Sequence, residues 1–180
     1  MKIIDDFLDA ETFQQLKSII TSPIFNWSHI PMTDNIVEKS DKFSGQFVHL
    51  AYSECVPKTA FFNNLLHILD CLSVIALYRI KLNLQPRTDK IVEGLFHTDM
   101  CQEDINIETM KTWTTSIFYI NSNNGYTEFE SGEKVESIEN RMILFPSNTL
   151  HRGTTCTDEQ TRIVINFNFL TISENKKLKN

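Results

Sequence analysis

The sequence is poor in cysteine, and its cysteines lack the spacing of a zinc site or a redox motif. None of the four forms a Cys-x-x-Cys pair, which is the spacing that such sites commonly use. We therefore expect free thiols, buried or half-exposed, in a reducing compartment. The four are Cys55, Cys71, Cys101 and Cys156.

Long apolar runs are missing as well. No stretch approaches the roughly 18 apolar residues that a membrane-spanning helix needs. The start of the chain has no basic region followed by an apolar run, so no secretory signal is predicted. The sequence also has no repeat, linker or low-complexity segment. It predicts a cytoplasmic protein without a membrane partner.

Positive charge is scarce. The chain has 17 Lys and Arg against 23 Asp and Glu, which gives a net charge of −6. Binding to a nucleic-acid backbone needs clustered basic side chains. We therefore expect that nucleic acid is not the main partner of this protein.

The remaining composition is that of an ordinary globular protein. Hydrophobic residues make up 41% of the chain and charged residues 22%. A length of 180 residues suits one domain with a sizeable core. We predict a single domain over 1–180, with a support region of helices and a strand over 1–90, a β core over 91–170 and a polar tail over 173–180.

Two helices are predicted in the first half of the chain. Apolar residues recur at helical spacing over 8–20, with Asp9 as the N-cap and Pro23 ending the segment. A second helix is predicted from Pro57 to about Cys71, because proline suits a first helical turn. Its predicted buried stripe consists of Phe61, Leu65, Leu66, Leu69 and Leu72.

Strands dominate the second half. From Val74 to Pro86 the apolar period changes to two, which predicts a long strand. Helices followed by a series of strands indicate helices packed on one face of a β-sandwich or barrel. Further strands are predicted roughly over 91–99, 112–121, 126–130, 133–138, 141–145 and 161–170, with turns at 123–125, 131–132, 146–148 and 157–158.

The long strand has one polar face, which contains Arg79, Lys81 and Asn83. A solvated outer face is the favoured interpretation. The alternative is that Arg79 and Asn83 contact a polar substrate, which requires the strand to turn this face inward.

His97 and Asp99 form a candidate metal-binding pair. They are two residues apart, and this spacing points both side chains to one face of a strand. Two histidines and one carboxylate bind one face of Fe(II) and leave the opposite positions open. Taken alone, the pair fits equally well an incidental His and Asp on a surface strand.

Six segments between residues 96 and 167 follow the pattern of a known enzyme family in order and spacing. They are Phe96–Asp99, Thr115–Asn121, Asn124–Phe129, Arg141–Pro146, His151–Gly153 and Thr161–Phe167. On these segments the chain resembles the Fe(II)/2-oxoglutarate-dependent dioxygenases, and among them the prolyl-4-hydroxylase-like branch. The resemblance implies a mainly β fold, a double-stranded β-helix (jelly roll, cupin-like) with N-terminal helices packed on one sheet.

The resemblance also implies a metal site and its chemistry. Fe(II) is expected to bind His97, Asp99 and His151, and neutral imidazole and carboxylate suit an iron that changes oxidation state. 2-Oxoglutarate is expected to chelate the iron, and O2 to take the last position. Oxidative decarboxylation then gives succinate and carbon dioxide, with ascorbate as a candidate reductant.

Arg162 is the candidate anchor for 2-oxoglutarate. It follows His151 by eleven residues, within the family's range for the base that grips the distal carboxylate. A guanidinium fork matches a carboxylate with two hydrogen bonds; the alternative is a surface arginine on an edge strand. Val164, Asn166 and Asn168 share its face by alternation. Asn166 is therefore expected at the cosubstrate and Asn168 at the substrate.

Tyr119 and Thr127 are the further candidates for cosubstrate binding. Tyr119 matches the family's tyrosine whose hydroxyl supports the distal carboxylate, and the alternative is a core aromatic residue. Thr127 matches a position that lines the cosubstrate pocket, and ordinary sheet packing is the alternative there.

The resemblance restricts the type of reaction more than the identity of the acceptor substrate. Related halogenases lack the carboxylate that Asp99 supplies here, so hydroxylation, or oxygenation leading to demethylation, is favoured. The nucleic-acid demethylase branch repeats an arginine six positions after the anchor, where this chain has Asn168. The implied acceptor is a peptide, with prolyl hydroxylation as one case, or a small molecule.

Two segments are candidate lids over the pocket, Met100–Lys111 and Ile30–Gly45, since both are polar. Exposed surface loops are an equal alternative. Two rival functions also stay open: a cupin-like metal-binding β-barrel that does not use 2-oxoglutarate, and a sugar- or ligand-binding jelly roll without a metal.

Overall fold

The computed structural model describes residues 1–31, 45–100 and 106–171. Strands predominate in these ranges, with short helices before and between them. The elements are β1 (Lys2–Ile4), α1 (Ala10–Ile20), β2 (Ser28–Pro31), β3 (Gly45–Ser53), β4 (Val56–Pro57), a 3-10 helix (Ala60–Leu65), α2 (Leu66–Cys71), β5 (Val74–Pro86), α3 (Ile107–Met110), β6 (Thr114–Tyr119), β7 (Asn123–Phe129), β8 (Lys134–Ser137), β9 (Met142–Pro146), β10 (His151–Gly153) and β11 (Thr161–Thr171).

The larger of two antiparallel sheets has the strand order β1-β9-β6-β11-β5-β3-β2, and β4 pairs with β3. β11 lies in the middle, between β5 and β6. Because side chains alternate along a strand, β11 has two different faces. Ile163, Ile165 and Phe167 belong to the core on one side, and Arg162 and Asn166 face a cavity on the other.

The smaller sheet has the order β10-β7-β8 and packs over the inner face of the larger one. A second apolar cluster joins the two sheets, since Phe129 and Val135 come from the smaller sheet and Ile117, Ile143 and Phe145 from the larger. The structure is therefore a two-layered β-sandwich, as the order of the predicted elements indicated.

Helix α1 covers the outer face of the larger sheet and confirms its prediction. The Asp9 side chain caps it by accepting a hydrogen bond from the Thr12 backbone at 3.0 Å. Phe13 is buried and meets Phe118 of β6 edge to face, with ring centroids 5.9 Å apart. Phe7, just before the helix, meets the same ring from another side at 5.7 Å.

The second predicted helix begins later than expected. Pro57 does not open a helical turn; it pairs with Tyr52 in the short strand β4. A 3-10 helix precedes α2, and its three residues per turn shift the buried stripe. Leu66 is consequently 45% exposed, against the prediction, while Ile68 is buried in its place.

Two predictions about the strands are wrong, and five strands were missed. Residues 91–99 form no strand and pair only at two isolated bridges, Glu93 with Thr154 and His97 with His151. The predicted turn at 123–125 lies inside β7, where an irregularity in register between Asn123 and Tyr126 takes up the extra residues. Strands β1, β2, β3, β4 and β10 were not predicted.

No helix within the described ranges is long and apolar enough to cross a membrane. Three cysteines are free, as expected: Cys55, Cys71 and Cys156. The fourth, Cys101, lies outside the described residues, as do residues 32–44 of one candidate lid, residues 101–105 of the other and the tail over 173–180.

Candidate metal centre and adjoining cavity

His97 and His151 are brought together by the backbone. The His97 N–H donates to the His151 carbonyl at 2.9 Å, and the His151 N–H donates to the His97 carbonyl at 3.0 Å. This two-way pairing places the imidazole rings on the same side, with centroids 4.9 Å apart.

The imidazoles direct the same nitrogen at Asp99. His97 Nδ1 donates to the Leu95 carbonyl at 2.9 Å, and His151 Nδ1 donates to the Thr149 carbonyl at 3.0 Å. Since a carbonyl only accepts, both rings keep Nε2 free as a lone-pair donor. These nitrogens lie 3.9 Å and 3.6 Å from the Asp99 carboxylate oxygens.

The three residues are the group within the described ranges that could hold a metal ion. Their candidate ligand atoms all lie within 4.8 Å of one another. Two imidazole nitrogens and one carboxylate oxygen suit Fe(II), and the cluster borders an open cavity where further ligands would fit. The donor set therefore fits the metal that the resemblance implies.

Asp99 is buried and held from two sides. Asn166 of β11 donates to both carboxylate oxygens at 3.2 Å. Arg79 of β5 donates to the Asp99 carbonyl at 2.6 Å and to its carboxylate at 3.3 Å. Burial alone would raise the pKa of Asp99, but the positive charge of a protonated His151, 3.6 Å away, and that of Arg79 outweigh it and hold the pKa below its usual range.

The pKa values of the two histidines move apart. Burial lowers the pKa of His97. Burial also opposes protonation of His151, but the negative charge of the Asp99 carboxylate, 3.6 Å from Nε2, outweighs it, so the pKa of His151 is raised. A divalent cation bound at Nε2 of His151 would take the place of the Nε2 proton and would be the positive partner of Asp99.

The cavity beside the cluster has a volume of about 640 Å³, within the range of small-ligand sites. The metal cluster lines one part of it and Arg162 with Thr127 another. The cavity is therefore large enough for a cosubstrate that spans from the cluster to Arg162.

Arg162 lies deep in the sandwich and is only 4% exposed. Its Nε donates to Ser137 Oγ at 2.8 Å and its Nη2 to Thr127 Oγ1 at 3.1 Å. Among the residues that the structure describes, no carboxylate lies within ion-pair distance of it, and burial lowers its pKa. An uncompensated buried guanidinium is costly, so this position favours an anionic ligand. The alternative of a surface arginine is excluded.

Tyr119 completes the surroundings of Arg162. It is fully buried, and its hydroxyl donates to Thr127 Oγ1 at 2.8 Å. The guanidinium carbon lies 5.7 Å from the centre of its ring. Tyr119 is thus both a core aromatic residue and a polar neighbour of Arg162, which the sequence treated as alternatives.

Two glycines, Gly125 and Gly153, leave space for the side chain of Arg162. A Cβ at Gly125 would lie 2.7 Å from Arg162 Cδ and 2.7 Å from the Thr155 carbonyl. A Cβ at Gly153 would lie 3.3 Å from Arg162 Nη1. The absence of side chains at these two positions leaves space for the long arginine side chain against β7 and β10.

Some predicted residues occupy other positions than expected. Asn168 is fully buried and donates to Thr115 Oγ1 at 3.0 Å; it is not among the residues that line the cavity, so the prediction that it lines it is wrong. Arg79 holds Asp99 and does not line the cavity either. Asn166 lines the cavity, but its observed partner is Asp99.

The polar face of β5 turns inward, against the favoured interpretation of the sequence. Lys81, Asn83 and Gln85 line the cavity. The alternation of side chains predicted that these residues share one face of the strand, but it did not predict which side of the sheet that face is on. Ser137 and Gln46 were missed: Ser137 binds Arg162 and Gln46 lines the cavity, and no motif marks either residue.

No family model matches the chain, and no curated protein matches its sequence. Solved structures do match. A prolyl-4-hydroxylase from Pseudomonas putida is 13% identical with a TM-score of 0.57, over 96% of this chain and 92% of that chain. A viral collagen prolyl hydroxylase from Paramecium bursaria Chlorella virus-1, in complex with 2-oxoglutarate, is 14% identical with a TM-score of 0.55, over 96% of each chain.

A third similar structure is a prolyl hydroxylase from Trichoplax adhaerens in complex with a peptide fragment of the oxygen degradation domain of hypoxia inducible factor. It is 13% identical with a TM-score of 0.60, over 94% of this chain and 82% of that chain. These matches define the fold class as a double-stranded β-helix, which confirms the predicted fold. The three matched structures are prolyl hydroxylases, and this chain is similar to them in fold.

Proposed function

We propose that this chain is an Fe(II)- and 2-oxoglutarate-dependent dioxygenase that hydroxylates a peptidyl or small-molecule acceptor. The observation that carries the proposal is the position of Arg162. A buried guanidinium without a carboxylate partner in the described ranges shares one cavity with the His97, Asp99 and His151 cluster. A metal and an anion-binding group at two places in one cavity suit a cosubstrate that has a chelating end and a carboxylate end.

His97, Asp99 and His151 would hold the metal. Their neighbours fix the geometry, because backbone carbonyls orient both imidazoles and Asn166 and Arg79 hold the carboxylate. Bound Fe(II) would supply activation of O2 coupled to the oxidative decarboxylation of 2-oxoglutarate, with succinate and carbon dioxide as products. Ascorbate would serve as a reductant for iron that has become oxidised.

Arg162 would bind the distal carboxylate of 2-oxoglutarate through its guanidinium fork. Thr127, which lines the cavity beside Arg162, would add a hydroxyl group at the same carboxylate. Tyr119 is fully buried and not among the lining residues, so it would act through its hydrogen bond to Thr127. Ser137 would keep the guanidinium oriented through Nε. This arrangement also stabilises the buried charge of Arg162 when the cosubstrate is present.

The acceptor is proposed at the level of its class. One similar structure contains a peptide fragment, which supports a peptidyl acceptor, with a prolyl residue as one candidate. The cavity is also of a size that takes small molecules. The main rival is a cupin-like β-barrel that binds a metal but not 2-oxoglutarate, and such a protein would have no use for Arg162.

Uncoupled turnover tests the proposal against this rival. Purified protein with Fe(II), ascorbate and 2-oxoglutarate is expected to release succinate slowly without an acceptor. Under anaerobic conditions, adding 2-oxoglutarate to the Fe(II)-loaded protein is expected to produce a visible absorption band. If succinate stays at the level of a boiled control and no such band appears, the oxygenase proposal is wrong and the cupin-like function is favoured.

A further inference from the structure

Beside β11, strand β5 carries a second polar row along the cavity. Its members are Lys81, Asn83 and Gln85. In the register of the sheet they lie opposite Asn166, Val164 and Arg162, respectively. Opposite side chains of antiparallel neighbours are about 5 Å apart. The row therefore runs parallel to the path from the metal cluster to Arg162. It lies one strand away from β11, on the side of β3.

The two amides in this row have no partner in the described protein. Asn83 Oδ1 and Gln85 Oε1 are buried and make no hydrogen bond there. Buried polar atoms are normally paired, and each unpaired one needs an explanation. Rotation about the last bond lets each amide present its amino group or its oxygen to a ligand. Both groups are therefore available to a molecule bound in the cavity.

Lys81 brings a positive charge to the end of the row nearest the metal cluster. Within the described ranges no carboxylate lies within ion-pair distance of Lys81, and burial lowers its pKa, with the neighbouring charge of Arg79 acting in the same direction. Asp99 attracts Lys81 from further away. However, the Asp99 carboxylate already accepts hydrogen bonds from Arg79 and Asn166.

When the charges of the proposed complex are counted, Lys81 is a cation without a neighbouring anion. Fe(II) and 2-oxoglutarate carry equal and opposite charges, and Arg79 offsets Asp99. Arg162 and Lys81 are then both in excess, so the site is positively charged. Arg162 has the distal carboxylate of the cosubstrate as a direct partner, whereas Lys81 has no anion beside it among these groups. A half-buried ammonium without a counterion favours an anionic ligand.

Resting on the proposed function, we propose that the acceptor carries a carboxylate that binds Lys81 and accepts a hydrogen bond from Asn83, the next residue of the row. Gln85 lies opposite Arg162, at the other end of the row, and would face the cosubstrate. One ammonium with a neutral amide donor suits a single carboxylate better than a phosphate, which is usually bound by several cations or by guanidinium groups. Because Lys81 is opposite Asn166, which holds Asp99, the carboxylate lies near the metal cluster. The oxidised carbon is therefore only a few bonds from the carboxylate of the acceptor.

A panel of matched acids and amides tests this inference by binding. The protein is loaded with Mn(II) and 2-oxoglutarate without oxygen and titrated calorimetrically with the standard amino acids and with their carboxamides. Tripeptides with a free or an amidated C-terminus form a second arm, which distinguishes a small-molecule acid from a peptide carboxylate. At least one acid is expected to bind about tenfold or more tightly than its amide, the effect of one charge-assisted hydrogen bond.

Substitutions then assign the preference to Lys81. Lys81→Met is expected to weaken binding of the preferred acid about tenfold and to remove the difference between acid and amide. Lys81→Arg keeps the charge and is expected to keep the preference for the acid. Lys58→Met serves as the control, because Lys58 is an exposed lysine paired with Glu54 outside the cavity, and it is expected to bind as the wild type does.

The outcomes separate this inference from the proposed function. If acids and amides bind alike, if no acid binds, or if Lys81→Met retains the preference for the acid, the inference is overturned. In that case the oxygenase proposal stands as long as the wild type releases succinate from 2-oxoglutarate. If the wild type neither binds 2-oxoglutarate nor forms succinate, the oxygenase proposal fails and this inference falls with it.

Discussion

Asn166 donates hydrogen bonds to both carboxylate oxygens of Asp99, at 3.2 Å to each. One residue of the central strand thus fixes the direction in which a candidate metal ligand points. Substitution of residues that hydrogen-bond to metal ligands commonly lowers metal affinity about 10- to 100-fold. The two hydrogen bonds to Asp99 therefore make Asn166 a positioning residue for the metal.

Asn166→Ala is expected to weaken metal binding about tenfold or more, because Asp99 loses the donor that orients it. The measurement is a titration of the metal-free protein with Co(II), followed by its absorption spectrum. Asn168→Ala is the control, since it removes the same side chain two positions along β11 where the partner is Thr115. Equal metal affinity in the wild type and Asn166→Ala would mean that Asp99 is held well enough by Arg79 alone.

His151→Ala is expected to abolish stabilisation of the protein by metal. At a metal concentration about a hundredfold above Kd, binding raises the free energy of unfolding by about 2.7 kcal/mol. A variant that does not bind the ion loses this increment. The measurement is the melting temperature with Mn(II) and with a chelator. His67→Ala, which changes an exposed histidine on α2, should respond to metal as the wild type does; a response retained in His151→Ala would contradict the assigned cluster.

Arg162→Ala is expected to keep the metal and weaken 2-oxoglutarate binding more than about a hundredfold, because a buried charge-assisted pair is lost. Arg162→Lys keeps the charge without the fork and should show an intermediate loss. The measurement is the 2-oxoglutarate Kd of the Mn(II)-loaded protein. Arg87→Ala, a change at an exposed arginine just after β5, is the control. Unchanged affinity in both Arg162 variants would remove Arg162 from the cosubstrate site.

Gly125→Ala is expected to disturb Arg162 without touching the metal cluster. The added Cβ would lie 2.7 Å from Arg162 Cδ and 2.7 Å from a backbone oxygen, so a strand or the arginine must move, at about 1–3 kcal/mol of stability. We expect about tenfold weaker 2-oxoglutarate binding with metal affinity retained. Gly132→Asn is the control, because a Cβ added at Gly132 would meet no atom within 4 Å, and asparagine tolerates the φ of +85° at this position.

Phe118→Ala is expected to lower the free energy of unfolding by about 3–5 kcal/mol. Phe118 is fully buried and contacts the rings of Phe7 and Phe13, so its removal leaves a cavity between α1 and the larger sheet. The measurement is urea denaturation. Phe96→Ala, where the ring is 39% exposed, should cost much less; equal losses would mean that α1 contributes little to stability.

The parts of the fold that could be predicted are those with long local patterns. Strands β5 and β11 alternate over eleven residues or more, and α1 has both a cap and a periodic stripe. Strands β1, β2, β4 and β10 have between two and four residues, too few for a period to be visible. Their existence depends on partners distant in sequence, such as β9 for β1.

The candidate site was predictable at residues that a family motif marks and not at residues outside the motifs. His97, Asp99, His151 and Arg162 meet one cavity, although the segment around the first two forms no strand. Ser137 contacts Arg162 only because of the folded arrangement, and nothing local distinguishes it from other serines. The direction of the polar face of β5 was assigned wrongly because alternation separates two faces but does not say which one is covered.

The two faces of β11 have different roles, and this has a consequence for engineering the protein. The odd-numbered residues Ile163, Ile165 and Phe167 belong to the core beneath the helices, while the even-numbered residues Arg162, Val164 and Asn166 line the cavity. Parity along one strand therefore separates positions that govern thermal robustness from positions that govern chemistry. Mutations aimed at the chemistry therefore belong at the cavity-lining positions 162, 164 and 166 of β11 and at their neighbours on β5.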